Sequence, residues 1–227
     1  MYCNRDKFSL FSDIILYTER IYMTPTIIDN HVEKLIKLLN TNTPPIYLNV
    51  TPEPYSQVTQ CFTSVDEKIK RDGGSQVLGW QIWKSDILVE AEFHAVWKSP
   101  NGDLQDITPK QIDISKILFL PDPKAQYVGS QVDNIRVNIT QNKLIDDFIE
   151  ISKAIFKMEN KGNRAFEYEL KLIGAEAQNY KVLTQIKHAL YSMITHGYNR
   201  NSTCFCHSGK KYKHCHGHKF TKTLKSI

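Results

Sequence analysis

Apolar residues recur along the chain at two spacings, and the switches between them mark out its elements. In "DNHVEKLIKLLN", residues 29–40, Val32, Leu35, Ile36 and Leu39 share one face at helical spacing. "PPIYLNV" predicts a strand at 46–50, and "QCFTSVDEKIKRDGG" predicts a helix with Phe62, Val65 and Ile69 inward. The Gly73-Gly74 pair stops that helix. Strands follow at 76–83 ("QVLGWQIW") and 86–97 ("DILVEAEFHAVW"), with a return strand at 102–109 ("GDLQDITP"). "ISKILFLPDP" adds an apolar segment that Pro121 ends, and "DNIRVNI" is strand-like. A helix then runs from Lys143 to about Met158, with Leu144, Ile145, Phe148, Ile149, Ile155 and Phe156 facing the core. Residues 164–195 carry a long helical pattern (Phe166, Leu170, Ile173, Ala177, Tyr180, Leu183, Ile186, Leu190, Ile194), with Gly197 placed to cap it.

The expected fold class is α+β: an antiparallel sheet with packed helices, a C-terminal helical connector and a small terminal knuckle. In residue ranges the body spans 1–160, the connector 161–199 and the knuckle 200–220.

Composition adds little until the charges are placed. At 227 residues the chain has room for one well-buried domain and an appendage. No apolar run approaches the roughly 18–20 residues of a membrane span. The short apolar stretch at 8–17 is broken by Asp13 and followed by no small-residue cleavage site, so no secretory signal is expected. Five cysteines, three of them close together, argue against a disulfide framework and for a reducing, cytoplasmic setting. The net charge of +5 is uneven, because no acidic residue follows Glu176 while nine lysines and arginines do. The first 176 residues therefore hold 20 basic against 24 acidic side chains. Such a basic end favours an acidic protein partner or nucleic acid.

Candidate chemistry is densest in "CFCHSGKKYKHCH", residues 204–216. Cys204-x-Cys206, eight residues, then Cys215-His216 supply three thiolates and an imidazole. That is a closed tetrahedral donor set suited to structural zinc. Phe205, Tyr212 and Phe220 are too few to form a core. Metal ligation, worth roughly 10–16 kcal/mol in small sites of this kind, is therefore expected to fold the segment. Ser208 and Gly209 make the turn, and His207, His214 and His218 stand outside the donor set. These residues resemble the SEC-C motif, with Ser208, Gly209, Lys210, Lys211, Tyr212, Lys213, Cys215 and His216 matching and His207 standing where that family usually has glycine. The resemblance implies zinc binding and a C-terminal appendage that docks to a protein or to the ribosome. Varied proteins carry such an appendage, the bacterial preprotein translocase ATPase among them.

In the body, Cys61, His94 and Asp106 occur in the order a thiol hydrolase would use. Ser64-x-x-Glu67 is a capping-box pattern predicting a helix that starts just beyond Cys61, whose dipole would favour the thiolate. Along the strand that follows, Val89, Ala91, Phe93, Ala95 and Trp97 form an apolar face, and Glu90, Glu92 and His94 a polar one offered to a cleft or solvent. Glu90 and Glu92 read as solvated. "SPNGD", residues 99–103, suits a three-residue hairpin loop with Gly102 in the left-handed position. That loop pairs Ser99 with Asp103 and sets Asp106 opposite Val96, on the face of His94 and within about 7–8 Å of it. The aspartate would orient the imidazole, and the imidazole would activate the thiol.

This order resembles the papain-like and transglutaminase-like superfamily, which implies an amidase or deamidase acting on an amide or carboxamide. Gln57 and Gln60 are possible oxyanion donors, and Trp80, Trp83 and Trp97 are expected to pack the sheet. The other expectation is a zinc-dependent adaptor without chemistry. No phosphate-binding glycine loop, dinucleotide fingerprint or zinc-protease helix motif is present.

Overall fold

The computed structural model describes residues 22–167 and 169–218. The apolar stretch at 8–17, Phe220 and the last three lysines lie outside them. The chain divides between Ile139 and Thr140 into two compact units. Helix Lys143–Glu159 thereby groups with the C-terminal elements.

In the first unit, helix α1 (Asn30–Leu39) begins at Asp29, whose Oδ1 accepts from the backbone N–H of His31 and Val32, both at 3.1 Å. Six strands follow or flank it: β1 (Ile46–Asn49), β2 (Ser75–Lys84), β3 (Leu88–Lys98), β4 (Leu104–Gln105), β5 (Lys116–Pro121) and β6 (Ile135–Asn138). They pair antiparallel in the order β1-β5-β2-β3-β4, and β6 pairs the first half of β3. A parallel bridge between Val50 and Asp106 joins the two ends of that order. Three backbone bonds make the seam: Asp106 N–H to Asn49 O at 3.2 Å, Thr51 N–H to Asp106 O at 2.8 Å, and Glu53 N–H to Ile107 O at 3.2 Å. The sheet is thus a small, nearly closed barrel.

The hairpin from β3 to β4 has the register the loop predicts. Ser99 N–H donates to Asp103 O at 2.8 Å, Gly102 has φ +97°, and Trp97 pairs Gln105. The ladder ends there, because Asp106 leaves β3 to pair with Val50.

Alternation along β2 and β3 sorts their residues onto two faces. One face carries Ile82, Ala91 and Val89 under Val32 and Leu35 of α1. It continues as Ala95 and Trp97 under helix α2 (Cys61–Asp72), together with Ile107. The other face closes on itself around Val96, Leu48, Ile117 and Phe119. His94, Gln81 and Glu90 share that interior face and are 3%, 1% and 2% exposed. The polar face of β3 is therefore a barrel interior, where the sequence suggested a cleft or solvent.

Two sequence expectations are corrected at helix ends. Helix α2 starts at Cys61 itself, with Gln60 before it, so Ser64 lies inside the first turn and forms no capping box. In the second unit, α3 (Lys143–Glu159) is capped by Asn142 Oδ1, but α4 spans only Gly174–Thr195. The apolar positions Phe166 and Ile173 stay exposed, so no burial rewards a longer helix there. Arg164 ties the connection down instead, forking Glu176 at 2.7 and 3.2 Å and donating to Met158 O at 2.8 Å. At its far end α4 stops at Gly197, φ +75°, as its position predicts. No helix among the described residues is long and apolar enough to cross a membrane.

Candidate metal centre and a buried Cys/His/Asp/Lys cluster

The C-terminal segment folds as two short arms. Thr203 bridges Lys211, Cys204 N–H donates to Lys210 O at 2.9 Å, and Tyr212 N–H donates to Ser202 O at 2.9 Å. His207 and Gly209 turn the chain with φ of +55° and +73°. The arms bring Cys204, Cys206, Cys215 and His216 together, with one donor atom from each lying within 4.8 Å of the others.

Cys204 Sγ is 3.2 Å from His216 Nδ1, Cys206 Sγ is 3.5 Å from Cys215 Sγ, and Cys215 Sγ is 3.6 Å from His216 Nδ1. Bond lengths of about 2.3 Å to sulfur and about 2.0 Å to nitrogen give tetrahedral edges of roughly 3.8 Å between sulfurs and roughly 3.6 Å from sulfur to nitrogen. These three separations lie within about 0.4 Å of those edges, so the donor set suits a tetrahedral soft cation, with the Nδ1 nitrogen of His216 turned to the thiols. Ser208 Oγ stands 3.3 Å from Cys206 Sγ and 3.4 Å from Cys215 Sγ. The Ser208 hydroxyl and its backbone N–H hold the Cys206 thiol down to about 6, toward the thiolate a metal requires.

Tyr212 changes the expected picture of a knuckle without a core. It is fully buried, its ring lies against Gly217, and its hydroxyl faces Asp147 of α3. Arg200 Nε lies 3.1 Å from Asp147 Oδ2 as well. The outer face of the segment is basic: Lys210, Lys211 and Lys213 are exposed, with His207, His214 and His218.

In the barrel, His94 Nε2 lies 3.2 Å from Asp106 Oδ2, which brings together two of the three body residues singled out in the sequence. Lys110, which the sequence gave no reason to choose, completes the arrangement. Its Nζ is 2.5 Å from Asp106 Oδ2, 2.9 Å from Gln81 Oε1 and 3.3 Å from His94 Nε2. Asp106 Oδ1 accepts from Thr108 N–H at 3.0 Å. Gln81 was legible in principle, since it is the polar inward position between Gly79 and Trp83.

Two cations thus share one carboxylate away from water: the side chains of His94, Asp106 and Lys110 are 4%, 0% and 8% exposed. Burial and the Lys110 charge push the imidazole down. Asp106 and Cys61, with the Asp106 hydrogen bond, outweigh them and hold it up to about 9. Burial works to raise Asp106, but His94 and Lys110 keep it well below the usual carboxylate range.

Cys61 is buried in the first turn of α2 among Val65, Ala95, Trp97 and Ile107. Those residues belong to the apolar face, opposite the one that carries His94. Helix α2 packs on the apolar face of β3, where the thiol reading called for the polar one.

Other expectations resolve plainly. Glu90 is buried against Arg136 Nε at 2.9 Å and accepts from Asn134 Nδ2 at 2.7 Å, so it is not solvated. Trp80 and Trp97 donate to Asp122 and the Gly73 carbonyl, tying the sheet to the segments beside it, and Trp83 donates to Glu92, joining β2 to β3. Gln60 Nε2 donates to Gln57 Oε1 at 3.2 Å.

Comparison with known proteins adds one match. No curated protein and no solved structure matches the chain. Residues 200–217 match the SEC-C motif, and this stretch holds all four donors.

Proposed function

We propose that residues 200–217 bind one zinc ion through Cys204, Cys206, Cys215 and His216, and that the folded knuckle docks the chain onto an acidic protein or ribosomal surface. The convergence of four soft donors within 4.8 Å carries this reading. Three thiolates and one imidazole leave no open position, so the metal's contribution is a cross-link with no reaction at the ion. The chain's own residues do the recognising, with Lys210, Lys211 and Lys213 displayed on the outer face and no acidic side chain after Glu176 to oppose them.

Metal analysis of the purified protein should find one equivalent of zinc per chain, lost in Cys204→Ser. Co-sedimentation with purified ribosomes should fall steeply between low and moderate salt and vanish on deletion of residues 200–227. Absence of zinc would end the metal assignment; binding indifferent to salt or to the deletion would end the docking assignment.

A second reading rests on the His94–Asp106 contact at 3.2 Å. Here Cys61 is the nucleophile of an amidase or deamidase, His94 carries the proton and Asp106 orients the ring. The electrostatic reach of Cys61 to His94 supports it, and the placement of α2 on the opposite face stands against it. A thiolate paired with imidazolium would react with iodoacetamide well below pH 8 and would lose that reactivity in His94→Gln. Cys61 inert across that range in the native protein would leave the cluster a structural one.

A further inference from the structure

The four donors do not hold themselves in place: both arms of the knuckle are rooted on one side chain of α3. Asp147 Oδ2 is 3.1 Å from Arg200 Nε, and the buried Tyr212 hydroxyl faces the same carboxylate. Arg200 stands four residues before Cys204 and Tyr212 three before Cys215, so one carboxylate meets the base of each arm. Backbone bonds lock the same bases together, with Tyr212 N–H donating to Ser202 O at 2.9 Å and Lys213 N–H to Arg200 O at 3.0 Å. Beyond Tyr212, its ring lies against Gly217, which follows His216 directly. Any slackening at Asp147 is therefore passed to both donor pairs. Asn142 Nδ2, at the cap of α3, adds a bond to Tyr198 O at 2.8 Å on the approach to the knuckle.

We propose that Asp147 is a positioning residue for the metal: from the helical hairpin, outside the donor set and outside the SEC-C match, it sets how tightly residues 200–217 retain zinc. This rests on the zinc assignment above. Groups that orient ligands from outside the coordination shell typically change metal affinity 10–100-fold. Asp147 acts through two intermediaries, so the lower end of that range is expected.

The test is zinc release from the full chain to a chromogenic chelator, read as rate and as competition constant. Asp147→Ala should release zinc about tenfold more readily. Alanine is the best helix former, so α3 itself is not weakened by the change, and far-ultraviolet circular dichroism should stay unchanged. Asp146→Ala alters charge equally one residue away and should release zinc like wild type. Asp147→Asn keeps an acceptor oxygen for Arg200 and Tyr212 and should restore most of the retention. Wild-type retention in Asp147→Ala, or equal losses in the Asp146 and Asp147 variants, would overturn the proposal. A wild-type protein that binds no zinc would instead remove the metal assignment on which it stands.

Discussion

At the scale of single residues, the barrel cluster makes a prediction about pH. In the fold His94 lies against Asp106, Lys110 and the edge of Phe119, and keeps its proton up to about 9. The unfolded chain releases that proton near pH 6.5. Between those limits the folded state binds more protons, so the pair's contribution is full below about pH 6.5 and is lost as pH rises through about 9. The free energy of urea unfolding should fall across this window by an amount on the order of a few kcal/mol, and His94→Gln should flatten the fall. Lys110 opposes the imidazolium, so Lys110→Met should shift the fall to higher pH while costing stability at every pH. A wild-type midpoint constant from about pH 6 to about pH 9.5 would show that the imidazole is not held charged.

At the scale of elements, the strand backbones approach closely where a side chain is missing. A Cβ on Gly79, opposite His94 in β2, would lie 2.3 Å from Leu120 O and 2.7 Å from the Phe119 ring. Strand β2 is hydrogen-bonded on both sides and has no room to yield. Gly79→Ala should cost about 1–3 kcal/mol or more in chemical denaturation. Gly102 offers the contrast: nothing lies within 4 Å of its Cβ position, but its φ is +97°. Gly102→Ala should cost about 1–2 kcal/mol, from backbone strain alone. A harmless Gly79→Ala would mean that β2 and β5 are further apart than described.

At the scale of the whole molecule, the metal and the fold of residues 200–217 should stand or fall together. Apart from the donors, the knuckle rests on Tyr212, Phe205 and the contacts to Asp147. Metal ligation of roughly 10–16 kcal/mol is larger than those few contacts supply. Chelation should abolish hydrogen-exchange protection across residues 200–217 and reduce it along α3 near Asp147. Acid should mimic the chelator, because protons compete for the three thiolates. Unchanged protection at 200–217 after complete metal removal would show that the arms fold without the ion.

What the sequence determined by itself was local. The spacing of Cys204, Cys206, Cys215 and His216 states a donor set, since a short segment can only bring its own residues together. Gly102 within "SPNG" fixed the hairpin register, because a left-handed position selects the loop and the loop selects the pairing. Apolar periodicity marked the helices, but failed at 164–173, where the pattern exists and nothing covers it. Only the tertiary structure decided which face of β3 is a barrel interior, because alternation separates two faces without saying what lies over either. That closure buries His94, Glu90 and Gln81 and sets the Asp106–Lys110 pair, four residues apart in the chain, against His94 and Gln81. The packing of α2 set Cys61 on the opposite face, and the packing of α3 within its own unit set Asp147 beneath the knuckle.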